Sequence, residues 1–206
     1  MKPTSRAPRK PVDPDKLMSD QTYLNCVFDG MILTRKDLEN CTFTGCSFTN
    51  ANLTDARLNG SVLRDCNLSN ARVAGCNLFS TAFAGCKMVG LDFREGITLT
   101  ATTFKDCTLD YAIFRGVSLE KMAFERCSLV EVDLSLTKLK QASFVNCDLT
   151  QADIQEAEFF QTDLRGANLT GWNLKQHDLR GTVITPAQFE MLATKLGISI
   201  MEYSGA

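Results

Sequence analysis

The chain has 206 residues, 44% of them hydrophobic, and a formal net charge of −2. That length fits one domain with tails, and the near-neutral balance gives no global sign of a nucleic-acid binder. No apolar run of 18 residues predicts a membrane-spanning helix. No apolar stretch follows the basic N-terminal residues as in a secretory signal, so a cytoplasmic protein is expected.

Residues 1–20 carry Lys2, Arg6, Arg9 and Lys10 interleaved with Pro3, Pro8, Pro11 and Pro14, and no hydrophobic period runs through them. They read as a disordered, basic, proline-rich tail. Contact with nucleic acid is the alternative reading, but four charges are few for it.

From Tyr23 an apolar residue recurs at every fifth position as far as Phe93: Phe28, Leu33, Leu38, Phe43 and onward. We term these positions centres. Two residues before each lies a small site, and 25 of the 33 small sites are Ala, Cys, Ser, Thr or Val. A sustained internal period indicates a solenoid. Five is neither the helical nor the strand period; it fits a coil with flat sides and a turn at each corner. Ten of the 13 glycines lie two residues after a centre, where a corner calls for positive φ. Met31 and Lys36 are poor small-site residues, so an irregular first coil is expected.

Residues 94–98, Arg94-Glu95-Gly96-Ile97-Thr98, contain one extra residue and shift the frame. A bulge or bend is predicted there, with Gly96 in an unusual conformation. The pattern then resumes from Leu99 to Ile184. If four sides make a coil, residues 20 apart stack, or 21 apart across the shift. One such column reads Tyr23, Phe43, Leu63, Phe83, Phe104, Phe124, Phe144, Leu164, Ile184. Strand spacing of about 4.8 Å suits stacked rings, and gives about eight coils and a length of about 40 Å.

All nine cysteines (Cys26, Cys41, Cys46, Cys66, Cys76, Cys86, Cys107, Cys127, Cys147) occupy small sites. They read as buried free thiols rather than metal ligands or a disulfide framework. The second segment is acidic. From Gln141 to Leu164 there are five acids, Asp148, Asp153, Glu156, Glu158 and Asp163, and no base. Asp133 lies one coil before Asp153 in the same column. Stacked like charges project a negative field; the plainer alternative is that an Asp before a centre serves the corner. Trp172 and His177 fill consecutive small sites, as in a coil that widens near its end.

After Ile184 the period stops. Thr185-Pro186-Ala187-Gln188 predicts a helix start, with Thr as N-cap and Gln at the third position. Phe189, Leu192 and Leu196 form one apolar face, Gly197 ends the helix, and Ile198 and Ile200 belong to a short strand. This segment is expected to cap the last coil.

Ala-Asn-Leu-Thr-Asp (51–55), Ala-Asp-Ile-Gln-Glu (152–156) and Ala-Asn-Leu-Thr-Gly (167–171) resemble the repeat unit of pentapeptide-repeat proteins. The resemblance implies an all-β solenoid, a right-handed quadrilateral β-helix over 21–184, with 1–20 as tail and 185–206 as a helix that caps or joins two copies. The one-residue interruption is similar to that of the Qnr type, which binds type II topoisomerases. This chain has no insertion long enough for the two projecting Qnr loops and is in that respect more similar to the loopless MfpA type. The resemblance implies a homodimeric DNA mimic. Its acidic residues Asp133, Asp148, Asp153, Glu156, Glu158 and Asp163 would meet gyrase or topoisomerase IV, with antibiotic protection as the outcome. No catalytic residue, cofactor, metal, membrane or direct nucleic-acid partner is expected. The alternative is an interaction scaffold with another target.

Overall fold

The computed structural model describes residues 10–11, 13–172, 179–195 and 197–198. The chain coils so that each residue pairs in parallel with the one 20 positions on. The pairing holds on four successive walls: Tyr23↔Phe43, Val27↔Ser47, Ile32↔Asn52 and Asp37↔Arg57. For pairs that span residues 94–98 the offset is 21, as in Asn77↔Thr98 and Ala82↔Thr103, and it returns to 20 beyond them, as in Phe104↔Phe124. We number the walls in chain order from the one holding Tyr23.

The first wall holds a seven-stranded parallel sheet: β2 (Thr22–Leu24), β4 (Thr42–Thr44), β5 (Val62–Arg64), β6 (Ala82–Ala84), β7 (Thr103–Lys105), β8 (Ala123–Glu125) and β9 (Ser143–Val145). These seven strands enclose six full turns, against about eight coils expected for the whole repeat region. Beyond β9 this wall continues as isolated bridges, Ser143↔Asp163 and Asp163↔Val183. Each strand is short because a corner follows two residues after every centre.

Every centre from Phe28 to Leu169 is buried, while Tyr23, Leu179 and Ile184 pack half-buried against the ends of the core. Phe83, Phe104, Phe124 and Phe144 stack with centroids 5.2, 4.9 and 4.9 Å apart and planes within 5°. On the third wall Phe93 stacks on Phe114 at 4.4 Å. Several small-site hydroxyls and thiols donate to the carbonyl of a centre 23 residues back: Ser61 Oγ donates to Leu38 O at 2.6 Å and Cys76 Sγ to Leu53 O at 2.8 Å. This explains a preference for Ser, Thr and Cys over alanine there. All nine cysteines are free and buried, and burial pushes the Cys76 thiol up to about 12.

The corner residue adopts left-handed φ whether or not it is glycine, as at Asn25 (53°), Asp55 (57°) and Glu156 (57°). Asn and Asp tolerate that region. At some corners the side chain below occupies the space of a Cβ: at Gly45 the Asn25 Oδ1 lies 2.4 Å from that point and would have to shift for any other residue. The extra residue places Gly96 at φ 63°.

The N-terminal boundary differs from the expected tail. Pro14–Lys16 form a 3₁₀ turn with Asp13 as its cap, β1 (Lys10–Pro11) pairs with β3 (Cys26–Val27), and Leu17 is buried. An apolar plug under the first coil protects an otherwise open solenoid end. The tail basics Lys2, Arg6 and Arg9 lie outside the described residues. The first coil is regular in backbone despite Met31 and Lys36: Leu33 N donates to Asn52 O at 2.7 Å and Leu38 N to Arg57 O at 2.8 Å.

At the other end α1 (Pro186–Lys195) begins with the reciprocal box read from the sequence. Gln188 N donates to Thr185 Oγ1 at 3.3 Å and Thr185 N to Gln188 Oε1 at 2.8 Å. Gln188 also joins the helix to the coil. Its Nε2 donates to Leu164 O (2.7 Å) and Ala167 O (2.8 Å), and its Oε1 accepts from Gly166 N (3.1 Å). The docked face is therefore Gln188, Leu192 and Ala193, all buried. Phe189, expected on that face, is 55% exposed; a coil end with free carbonyls selects a side chain that pairs with them. Leu196, Ile200 and His177 lie outside the described residues. Trp172 is buried and donates from Nε1 to Leu149 O at 3.0 Å. Replacing Gln188 with leucine leaves several buried groups unpaired at about 1–3 kcal/mol each, so Gln188→Leu is expected to lower the unfolding free energy by about 3 kcal/mol or more, read from urea denaturation.

Candidate functional site

Among the described residues no group of three or more His, Cys, Asp and Glu side chains is placed to hold a metal ion, and the interior is filled by the centres. The residues flanking each centre and those at the corners point to the outer surface.

Winding redistributes the acids. The base-free block from Gln141 to Leu164 spans rather more than one coil, so its five carboxylates scatter over all four walls. Glu158 lies on the fourth wall, paired in register with Lys138. Asp163 lies on the first wall, where Arg165 Nη2 meets it at 2.6 Å. Hydrogen bonding to that guanidinium holds the Asp163 carboxyl below the usual carboxylate range. The Asp163 charge is thus compensated by Arg165, and Glu158 lies in register beside a base.

What assembles instead is a surface on the second and third walls, over three successive rungs. Asp110 belongs to the first rung, Glu131 and Asp133 to the next, and Asp148, Asp153 and Glu156 to the third. Asp133 stacks directly on Asp153, and Asp148 on Ser128. Arg115 is the one base on these two walls over the three rungs, and it donates to Ser135 Oγ at 3.3 Å. Tyr111 at the corner reaches Glu131 Oε1 at 3.4 Å. Asp110 and Glu131 are absent from the sequence-based set. The signal that would have found them is the 20-residue column rather than the local run.

The aspartates do two things at once. Asp133 Oδ1 accepts from Ser135 N (2.9 Å), Asp148 Oδ1 from Thr150 N (3.0 Å) and Asp153 Oδ1 from Gln155 N (3.0 Å). Asp110 Oδ1 accepts from Val130 N at 3.1 Å and Ser128 Oγ at 2.5 Å. The corner-serving reading of these residues thus holds locally. Yet each carboxylate uses Oδ1 for the corner, and its charge still faces solvent. Asn52, Asn67 and Asn168 make the same bond elsewhere without charge, so the corner does not require an acid.

A family model described as a pentapeptide repeat region matches residues 17–93, 36–114, 76–153 and 117–190, which together span most of the chain. Among solved structures, two trypsin-treated forms of QnrB1, described as a plasmid-mediated fluoroquinolone resistance protein, are similar. One has 22% identity over 93% of this chain and 96% of that chain with a TM-score of 0.78; the other has 23%, 93%, 95% and 0.79 respectively. Full-length QnrB1 aligns at 25% identity, 92% and 95% coverage and a TM-score of 0.52. No curated protein matches.

Proposed function

The chain belongs to the pentapeptide-repeat family, and we propose that it is of Qnr type and binds a bacterial type II topoisomerase, gyrase or topoisomerase IV, as a protein mimic of DNA. The observation that carries this reading is the acidic surface of Asp110, Glu131, Asp133, Asp148, Asp153 and Glu156. Six carboxylates over three rungs of about 4.8 Å give roughly one charge per 2.4 Å of rod. Duplex DNA carries about one per 1.7 Å. A basic groove built for phosphates attracts such a rod and excludes DNA from its site. Its consequence in a cytoplasmic setting is altered sensitivity of the enzyme to drugs that trap it on DNA. The test is gyrase supercoiling and drug-induced cleavage against added protein; a protein without effect on either enzyme leaves the scaffold reading in its place.

The same reading includes a homodimer joined at the C-terminal ends. Support comes from apolar side chains left exposed there: Phe189 (55%), Ile198 (53%) and Val183 (44%). A pair so joined brings two acidic surfaces into one rod. The double variant Phe189→Glu, Ile198→Glu is expected to sediment as a folded monomer. Persistence of an unchanged dimer in analytical ultracentrifugation removes this part of the reading.

A further inference from the structure

The frame shift leaves a fault in the ladder. On the first and second walls the rungs on either side are fully joined: Phe83 pairs with Phe104, Lys87 with Thr108, and Met88 N donates to Thr108 O at 2.7 Å. On the third wall Phe93 N donates forward to Ile113 O at 2.9 Å, but no backbone hydrogen bond joins Arg72–Val73 to Asp92–Phe93. Only Gly75 N to Glu95 O, 2.7 Å, remains at that corner. On the fourth wall the defect is reversed. Leu78 N donates to Thr98 O at 2.9 Å, joining this rung to the one before it, but nothing joins Thr98–Ala101 to Ser118–Lys121. The bridge Asn77↔Thr98 exists and its successor does not, whereas Ser118↔Lys138 resumes the series. Each missing stretch coincides with an opening in the wall, of ≈ 370 Å³ beside Val73 and Asp92 and ≈ 630 Å³ beside Leu99 and Ser118.

One extra residue accounts for both. The chain pairs forward at Phe93, crosses Arg94 to Ile97, and pairs backward at Thr98, so it opens a gap behind itself on one wall and ahead of itself on the next. The small-site residues Ile97, Val117 and Met122 line the larger opening.

We propose that this fault is a hinge within the rod, about which the acidic second segment swings relative to the first. Two blocks joined along two adjacent walls and unjoined along the other two bend about the joined corner. The stacked Phe83 and Phe104 rings lie on a joined wall and act as the pivot. Motion opens or closes the third and fourth walls and changes the angle between the segments, so the rod fits curved surfaces that a straight one does not. The inference rests on the ladder alone and stands whatever the partner is.

The test places spin labels five coils apart, a separation of about 24 Å, on opposite sides of the fault. The pair Thr54→Cys, Gln155→Cys reports the unjoined third wall; Thr44→Cys, Val145→Cys reports the joined first wall. The nine native cysteines are buried, so labels go to the introduced ones. The expected double electron–electron resonance distribution is at least twofold broader for the third-wall pair. Deleting Glu95 puts Gly96 two residues after Phe93, at an ordinary corner, and is expected to narrow the third-wall distribution to that of the first. Equal widths in the undeleted protein overturn the hinge, and so does a folded deletion variant that keeps the broad distribution. The first comparison decides the matter even if the deletion variant fails to fold.

Discussion

Replacing Phe104 with alanine is expected to lower the unfolding free energy by about 3–5 kcal/mol, the range for emptying an aromatic site in a filled core. Phe104 is 1% exposed, stacks between Phe83 at 5.2 Å and Phe124 at 4.9 Å, and meets Phe93 edge-on at 6.3 Å. Stacked rungs hold their neighbours at fixed spacing, so the cavity cannot collapse without breaking ladder bonds on both sides. The position also adjoins the fault, where two walls already lack their bonds. Because solenoid stability is largely a sum of nearest-neighbour terms, weakening the joined wall here reduces coupling between the two segments. The urea midpoint of Phe104→Ala should fall, and its transition should broaden or split. Phe104→Leu, which keeps most of the volume, should cost less than about 1.5 kcal/mol. A variant Phe104→Ala with an unchanged midpoint would refute the account of the core.

The architecture was legible because its cause is periodic. A five-residue spacing of Leu and Phe with small residues between them admits few shapes, and the 20-residue repeat of the Phe83–Phe144 column points to four walls. The capping box at Thr185 and Gln188 was equally legible, being local. What escaped the sequence is what depends on winding. Asp148, Asp153, Glu156, Glu158 and Asp163 are neighbours along the chain, yet Glu158 faces Lys138 and Asp163 faces Arg165. Asp110 and Glu131 are far from that block along the chain and adjoin it in space. Phe189 reads as a docking residue from helical periodicity. The end of the coil, however, offers carbonyls, and the glutamine one position earlier satisfies them. Leu17 escaped because a single apolar residue in a proline-rich stretch carries no period.

The charge pattern separates the four walls by role. In the second segment the first wall neutralises itself through Arg126 with Asp106 and Glu125, and through Arg165 with Asp163. The fourth wall mixes Lys121, Lys138 and Lys140 with Glu120 and Glu158. Over residues 107–116, 127–136 and 147–156, the second and third walls expose carboxylates with a single base, Arg115, among them. A net charge of −2 for the chain therefore conceals a one-sided distribution, and global composition is a poor guide to what such a rod presents.

Neutralising that surface is expected to abolish the proposed effect on topoisomerase while leaving the rod folded. The variant carries Asp133→Asn, Asp148→Asn, Asp153→Asn, Glu131→Gln and Glu156→Gln. Asparagine retains the oxygen that accepts the corner N–H, as Asn52 does from Thr54 at 3.1 Å and Asn168 from Thr170 at 3.1 Å, so each corner keeps its bond and loses only its charge. Lysine at these positions would remove charge and acceptor together and confuse folding with binding. Glu131 and Glu156 are exposed corner residues held at φ 53° and 57°, and glutamine places no new demand on them. Removing five of six carboxylates eliminates most of the attraction to a phosphate-binding groove. Even at about 1 kcal/mol per charge pair in solution, five such losses amount to a reduction of more than 100-fold in potency. Wild-type activity on gyrase should also weaken steeply as salt is raised, because exposed charges are screened within about 8 Å at physiological ionic strength. The control is Asp163→Asn with Arg165→Gln, which removes a charge pair already neutral and should act as wild type does. Supercoiling and cleavage assays on the three proteins, with circular dichroism to confirm the coil, decide the outcome. Equal potency of wild type and the five-residue variant would show that the acidic walls do not carry the interaction.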